Sequence, residues 1–190
     1  MDETVEIRWH GRGGQGVITA GKMLAETALE EGKYFQALPD YGAERMGAPI
    51  RAFTRISTAP IVPHCQITEP DAVVVVDSTL IGVVDLTEGL KKDGVLVVNT
   101  PLSPAEVRSR LGYTKGKVFT VDASGIAMET MGRNIPNTPM LGALIRAVGL
   151  VAKDSLAHEI RHKLGETLKA DIVEANIKAL ERAYSETKEG

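Results

Sequence analysis

The sequence predicts an α/β fold, with three α/β/α layers around a mostly parallel, Rossmann-like sheet and a set of C-terminal helices. Three observations carry that expectation. The chain opens with a strand-like run that enters a glycine-rich turn, Val-rich runs recur with helical stretches between them, and the last third is helical in pattern.

Val5 to Trp9 reads as the first strand. After the glycines, Val17, Ala20, Leu24 and Ala28 fall on one helical face, and Gly32 stops that helix. Tyr34 to Leu38 is the second strand. Ile50 to Ile56 reads as another, antiparallel or at an edge, because the flanking Pro49, Pro60 and Pro63 cannot donate to a ladder. Asp71 to Asp77 (DAVVVVD), Gly94 to Asn99 (GVLVVN) and Lys117 to Asp122 (KVFTVD) are continuous apolar runs, as expected of parallel strands covered on both faces. Before the last of these, Ser103, Pro104, Ala105 and Glu106 form a capping box with proline at the first helical position, and Gly112 follows the helix end. Thr138 is the expected cap of a run from Pro139 to Val151 whose sole charge is Arg146; a helix apolar all round is a buried one. Leu156, Ile160 and Leu164 stripe one further helix, and Val173, Ile177, Leu180 and Tyr184 stripe the last.

A chain of 190 residues with 43% hydrophobic and 25% charged content is an ordinary globular chain. At this length roughly 70% of the unfolded surface can be buried, so no metal or disulfide staple is needed. One domain spanning 1–190 is the expectation, since no repeat or composition break divides the chain. The lone Cys65 forms no internal bridge and gives no sign of an oxidising compartment. A net charge of −3 with scattered Lys and Arg excludes a basic footprint for nucleic acid. No apolar run reaches the ~20 residues of a membrane span and no signal-peptide pattern opens the chain, so the expected location is cytoplasmic.

Four features are candidates for chemistry. Gly11-Arg12-Gly13-Gly14-Gln15-Gly16 satisfies G-x-G-x-x-G between a strand and a helix, where glycines let the backbone approach a phosphate and the helix start offers free N–H groups. The same glycines serve a tight turn and close helix packing equally well. A dinucleotide reading also needs an acid closing the second strand, and Asp40, after Pro39, is late for that role. His158-Glu159-Ile160-Arg161-His162 matches the H-E-x-x-H zinc motif, but both histidines fall opposite the Leu156, Ile160, Leu164 stripe and should face solvent. Asp77, Asn99 and Asp122 end strands at the carboxyl edge where open α/β sheets bind ligands, though capping explains each. The segment Tyr41-Gly42-Ala43-Glu44-Arg45-Met46-Gly47-Ala48-Pro49 is a long ordered turn, a place where function tends to sit. Cys65 beside His64 has no supporting base, and no nucleophile elbow is present.

Taken together, Trp9-His10-Gly11-Arg12-Gly13-Gly14-Gln15-Gly16, the Tyr41 to Pro49 segment and Asn137-Thr138-Pro139-Met140-Leu141-Gly142-Ala143 closely resemble the gamma subunit of the 2-oxoacid:ferredoxin oxidoreductases, the pyruvate enzymes nearest. The resemblance covers essentially the whole chain. It implies a noncatalytic subunit of a complex that reversibly converts 2-oxoacid and coenzyme A to acyl-CoA and carbon dioxide, with electrons to ferredoxin. It implies alpha, beta and delta subunits as partners, which would hold thiamine diphosphate, magnesium and [4Fe-4S] clusters, and a single cysteine agrees because it cannot ligate such a cluster.

No acid and base pair stands out in these motifs, so no catalytic residue is expected. Gly11, Arg12, Gly13, Gly14, Gln15, Gly16, Tyr41, Glu44, Arg45, Asn137 and Thr138 are expected to converge on one edge of the sheet. There Arg12 and Arg45 would supply charge, and Gln15 and Asn137 hydrogen bonds, to coenzyme A or a partner chain. Self-association is a further expectation for the isolated chain. Two other readings stay open: a stand-alone nucleotide-binding oxidoreductase, which would bind a nicotinamide nucleotide by itself, and a scaffold domain without ligand.

Overall fold

A computed structural model describes residues 4–40, 47–62 and 65–190. Its centre is a seven-stranded sheet in the order β2-β3-β1-β4-β5-β6-β7. The strands are β1 (Thr4–Arg12), β2 (Tyr34–Asp40), β3 (Pro49–Ser57), β4 (Ala72–Val75), β5 (Val95–Asn99), β6 (Lys117–Val121) and β7 (Lys188–Glu189). β1, β4, β5 and β6 are mutually parallel, whereas β3 runs antiparallel to both β1 and β2, and β7 antiparallel to β6. The strand at Ile50 to Ile56 is therefore antiparallel but not at an edge. β2 takes the edge, because β3 has partners on both sides and its Pro49 sits at the strand's first residue, where a missing donor is tolerated.

The helices are α1 (Val17–Glu30), α2 (Pro104–Leu111), α3 (Ala123–Met131), α4 (Asn137–Val148), α5 (Lys153–Gly165) and α6 (Ala170–Glu186). One face of the sheet presents Ile7, Trp9, Val74, Val97, Phe119 and Val121 to a core shared with α1, α3, α4, α5 and α6. Trp9 is wholly buried and its indole N–H donates to Thr54 Oγ1 at 3.1 Å, pinning β1 to β3 under α1. The other face presents Val73, Val75, Leu96, Val98 and Val118 to a thinner layer of α2, a 3-10 turn at Ser78–Leu80, and Leu86 and Leu90 of the connection that follows. The continuous valine runs of β4 and β5 thus face apolar side chains on both sides, which is why they do not alternate.

Local chemistry explains the helix ends. Ser103 accepts from Glu106 N while Glu106 accepts from Ser103 N, a complete capping box, and Gly112 ends α2 in the left-handed region. The expected cap at Thr138 is displaced. The Pro136 carbonyl accepts from Met140 N at 2.9 Å, which starts α4 before Thr138. The Thr138 hydroxyl is then free to donate to Asn176 Oδ1 of α6 at 3.1 Å. Thr138 to Ile145 are all buried between the sheet and α6, so the apolar helix is core, and it stops at Val148 because Gly149 turns left-handed. α3 and β7 had no distinct signature: α3 is short with little amphipathic contrast, and β7 is two charged residues placed by pairing alone. Among the described residues no helix is long and apolar enough to cross a membrane.

Candidate functional site

The glycine turn begins later than the sequence pattern suggests, since Gly11 and Arg12 are still strand residues paired with Ile50 and Pro49. Gly11 is glycine because α1 comes close: a Cβ there would lie 2.4 Å from Val17 Cγ2. From Gly13 the chain turns through Gly14 and Gly16, both at positive φ, and Gly16 caps α1 with no side-chain hydrogen bond.

The turn is held largely from within. Gln15 Oε1 accepts from Arg12 N at 2.7 Å, and Gln15 Nε2 donates to Asp77 Oδ2 at 2.7 Å. Arg12 Nε lies 3.3 Å from the same oxygen and, with Nη2, donates to Thr79 Oγ1, while Nη1 donates to the Gly47 carbonyl at 3.0 Å. Asp77 in turn receives the Thr79 N–H and hydroxyl. Burial raises the Asp77 pKa, but the Thr79 and Gln15 hydrogen bonds and the Arg12 charge outweigh it and hold the carboxyl below its ordinary range. Both Arg12 and Gln15, expected to meet an outside anion, are thus already committed to Asp77, so an added anion would have to share the guanidinium with that carboxylate.

Other segments meet this turn. Gly13 N donates to the Ala48 carbonyl at 3.1 Å and Gly47 N to the Gly13 carbonyl at 3.4 Å. Asn137 at the head of α4 packs against Gly16, whose added Cβ would lie 2.6 Å from Asn137 Nδ2. Thr138 turns away toward α6. Tyr41, Glu44 and Arg45 lie outside the described residues.

Of the strand-end residues, Asp77 is the hub above, and Asp122 caps α3 by accepting from Gly125 N at 2.8 Å. Asn99 ties β5 to the Val76 carbonyl and to Ser124. Asp40, the acid a dinucleotide would need, closes edge strand β2, separated from β1 by the whole of β3, roughly 10 Å at ordinary strand spacing, and it is paired with Arg51 at 2.9 Å. That places it too far from the turn for the ribose contact of a dinucleotide fold.

His158 and His162 are exposed, as their helical phase requires. Glu159 between them points inward instead, 3% exposed. Burial, then the nearby Glu30 and Glu26 of α1, push its carboxyl up from the ordinary value. Among the described residues no cluster of three or more His, Cys, Asp or Glu could hold a metal ion.

Sequence reasoning missed a polar layer beneath the turn. Arg8 and His10 alternate with Ile7 and Trp9 along β1 and so face away from the main core, yet both are buried. Arg8 donates to His10 Nε2 at 3.0 Å and to the Leu86 and Glu88 carbonyls. Burial first, then the Arg8 charge, lowers the His10 pKa to about 3. The signal was present in the strict alternation of the strand, but not the burial of its polar face.

Residues 6–186 match the family described as pyruvate ferredoxin/flavodoxin oxidoreductase. The chain belongs to this family. The pyruvate synthase subunit PorC of Thermotoga maritima is 49% identical over 183 residues, covering 96% of this chain and 94% of that protein. The pyruvate/ketoisovalerate oxidoreductases common subunit gamma of Thermococcus kodakarensis is also 49% identical, covering 96% and 97%. The crystal structure of the Thermotoga maritima pyruvate oxidoreductase subunit superposes with a TM-score of 0.87 at 45% identity, over 99% of both chains. A keto/oxoacid ferredoxin oxidoreductase gamma subunit from Geobacter sulfurreducens gives 0.77 at 26% identity, covering 97% and 96%. This pyruvate ferredoxin/flavodoxin oxidoreductase family chain has homologues that are subunits of an oxidoreductase complex, and it covers 94% to 99% of the length of the relatives just named.

Proposed function

We propose that this chain is the gamma subunit of a 2-oxoacid:ferredoxin oxidoreductase, acting on pyruvate, and that it contributes structure to the complex without carrying the chemistry. The observation that supports this best is the end-to-end match to a pyruvate synthase subunit, 49% identical with no large part of either chain left over. The donor sets agree with such a division of labour. One cysteine cannot hold a four-cysteine cluster, and thiamine diphosphate with its magnesium and the [4Fe-4S] clusters belong in this reading to the alpha, beta and delta subunits. The whole chain acts as one domain in this reading, in the cytoplasm, with ferredoxin meeting the complex through the other subunits.

Within the complex, the edge formed by Gly13 to Gly16, Gly47, Ala48 and Asn137 is assigned to contact with a partner chain or with coenzyme A. Support comes from the α1 start: its cap Gly16 has no side chain with which to accept from the first amides of α1, which favours an acceptor supplied by another molecule. Arg12 and Gln15 hold that turn in shape by way of Asp77.

Co-expression with the alpha, beta and delta chains tests both levels. The isolated chain should neither oxidise pyruvate nor bind a nicotinamide nucleotide, and it should copurify with the other three subunits. If it assembles with none of them, the subunit reading fails. Within an intact complex, Arg12→Gln should raise the KM for coenzyme A or weaken assembly, and an unchanged complex would remove the assigned edge.

A further inference from the structure

Asp77 keeps its place at the glycine edge without depending on Arg12. Its Oδ1 accepts the Thr79 N–H at 2.9 Å and the Thr79 hydroxyl at 2.7 Å, and its Oδ2 accepts Gln15 Nε2 at 2.7 Å. Arg12 is held mainly by neutral oxygens: Nε and Nη2 donate to Thr79 Oγ1 at 3.1 and 3.0 Å, and Nη1 donates to the Gly47 carbonyl at 3.0 Å. The two charges meet through one nitrogen at 3.3 Å, whereas the carboxylate pairs of Arg51, Arg55, Arg161 and Arg182 close to between 2.7 and 2.9 Å. Arg161 also takes Glu174 with two nitrogens, a fork that Arg12 and Asp77 do not form. The guanidinium can be reached from solvent, since the Arg12 side chain is 29% exposed against 12% for Asp77. Of its five N–H donors the bonds to Thr79 and Gly47 use three, so among the described residues two have no acceptor.

We propose that Asp77 is a built-in counter-anion, which limits how tightly Arg12 holds a phosphate of coenzyme A and so keeps that ligand exchangeable. The inference rests on the coenzyme A reading of the glycine edge. A phosphate arriving at the free donors of Arg12 meets a cation already partly neutralised, with a fixed negative charge close behind it. Asp77 does not yield to the newcomer, because the bonds from Thr79 and Gln15 hold it whether or not Arg12 attends to it. Without that opposing charge, a guanidinium fixed by Thr79 and Gly47 would be a ready phosphate clamp. A cosubstrate used up and replaced at each turnover gains nothing from uniformly tight binding, so a charge that loosens the clamp suits exchange. A carboxylate that only aimed Arg12 would act with the opposite sign, helping the ligand instead of opposing it.

Calorimetric titration of coenzyme A into the assembled complex reads this sign without turnover. Asp77→Asn keeps an oxygen for both Thr79 donors and should tighten binding about fivefold, the upper end for a charge pair at a surface, with the gain shrinking as salt is raised. Arg12→Gln should weaken binding, and in the double variant the gain from Asp77→Asn should vanish, because it acts through the guanidinium. Asp77→Ser, also uncharged, takes the place of Asp77→Asn if that variant fails to assemble. Equal or weaker binding on loss of the Asp77 charge, while Arg12→Gln still weakens it, overturns the inference and leaves the edge as a coenzyme A contact. A gain that persists in the double variant overturns it too, since the charge would then act elsewhere. If neither single variant changes the affinity, the coenzyme A reading of the edge falls and the inference falls with it.

Discussion

Asn137 occupies the space that a side chain at position 16 would need. Gly16 has φ +73, and a Cβ built on it would sit 2.6 Å from Asn137 Nδ2 and 3.0 Å from its Cγ. The head of α4 therefore fixes the cap of α1, linking two segments more than a hundred residues apart. Two glycines of one turn can be separated on this basis.

Gly14, at φ +94, has nothing among the described residues within 4 Å of an added Cβ. Gly14→Ala should cost about 1–2 kcal/mol from backbone strain alone. Gly16→Ala should cost more, and adding Asn137→Ala should recover the excess, because the clash is with the amide head. Urea midpoints of the two single variants and the double variant decide it. Additive losses in the double variant would mean that Asn137 is not the obstacle.

Asp77→Asn removes the charge that organises Gln15, Thr79 and Arg12 while keeping the shape. A loss of about 1.5–3 kcal/mol is expected, the range for hydrogen bonds to a charged group. Because the folded carboxyl titrates below its ordinary range, its stabilisation is complete above that range and is lost as pH falls through the folded value. The gap between wild type and Asp77→Asn in thermal melts should narrow on acidification.

His10 should remain neutral far into acid. Its pKa moves from 6.5 to about 3, so below 6.5 the unfolded state binds the extra proton and stability falls by about 1.4 kcal/mol per pH unit toward that lower value. His10→Gln, which can still accept from Arg8, should flatten this acid limb. Nitrogen chemical shifts of the imidazole should show an unprotonated Nε2, the atom that accepts from Arg8. An imidazole titrating near 6.5 would refute the assignment.

Glu159 acts in the opposite sense. Its carboxyl is pushed up by burial and by Glu30 and Glu26, so the folded state holds its proton longer. Its favourable state is complete below the ordinary carboxylate value and is lost as pH rises through the folded one. Glu159→Gln should be the more stable protein at alkaline pH, with the two curves converging in acid. Zinc should raise the melting temperature of neither, since His158 and His162 point to solvent and Glu159 points inward.

Local patterning was enough for the elements whose cause is local. The capping box at Ser103 and Glu106, the glycine after α2, the valine runs of β4 and β5 and the outward phase of His158 and His162 all follow from residue spacing and side-chain size. Family membership was legible too, because three separated motifs constrain one another far more tightly than a glycine pattern alone. Tertiary structure decided where backbone pairing and long-range contact compete with local preference. It placed β3 inside the sheet, so Asp40 lies too far from the turn to serve a dinucleotide. It committed Arg12 and Gln15 to Asp77, whose position 62 residues beyond Gln15 no local rule could supply. It started α4 before Thr138, leaving that hydroxyl for Asn176 and leaving Asn137 against Gly16 with one buried oxygen unpaired among the described residues. A residue's type limits the bonds it can make, but packing chooses the partner, and in this chain the polar residues of the candidate edge depend on that choice.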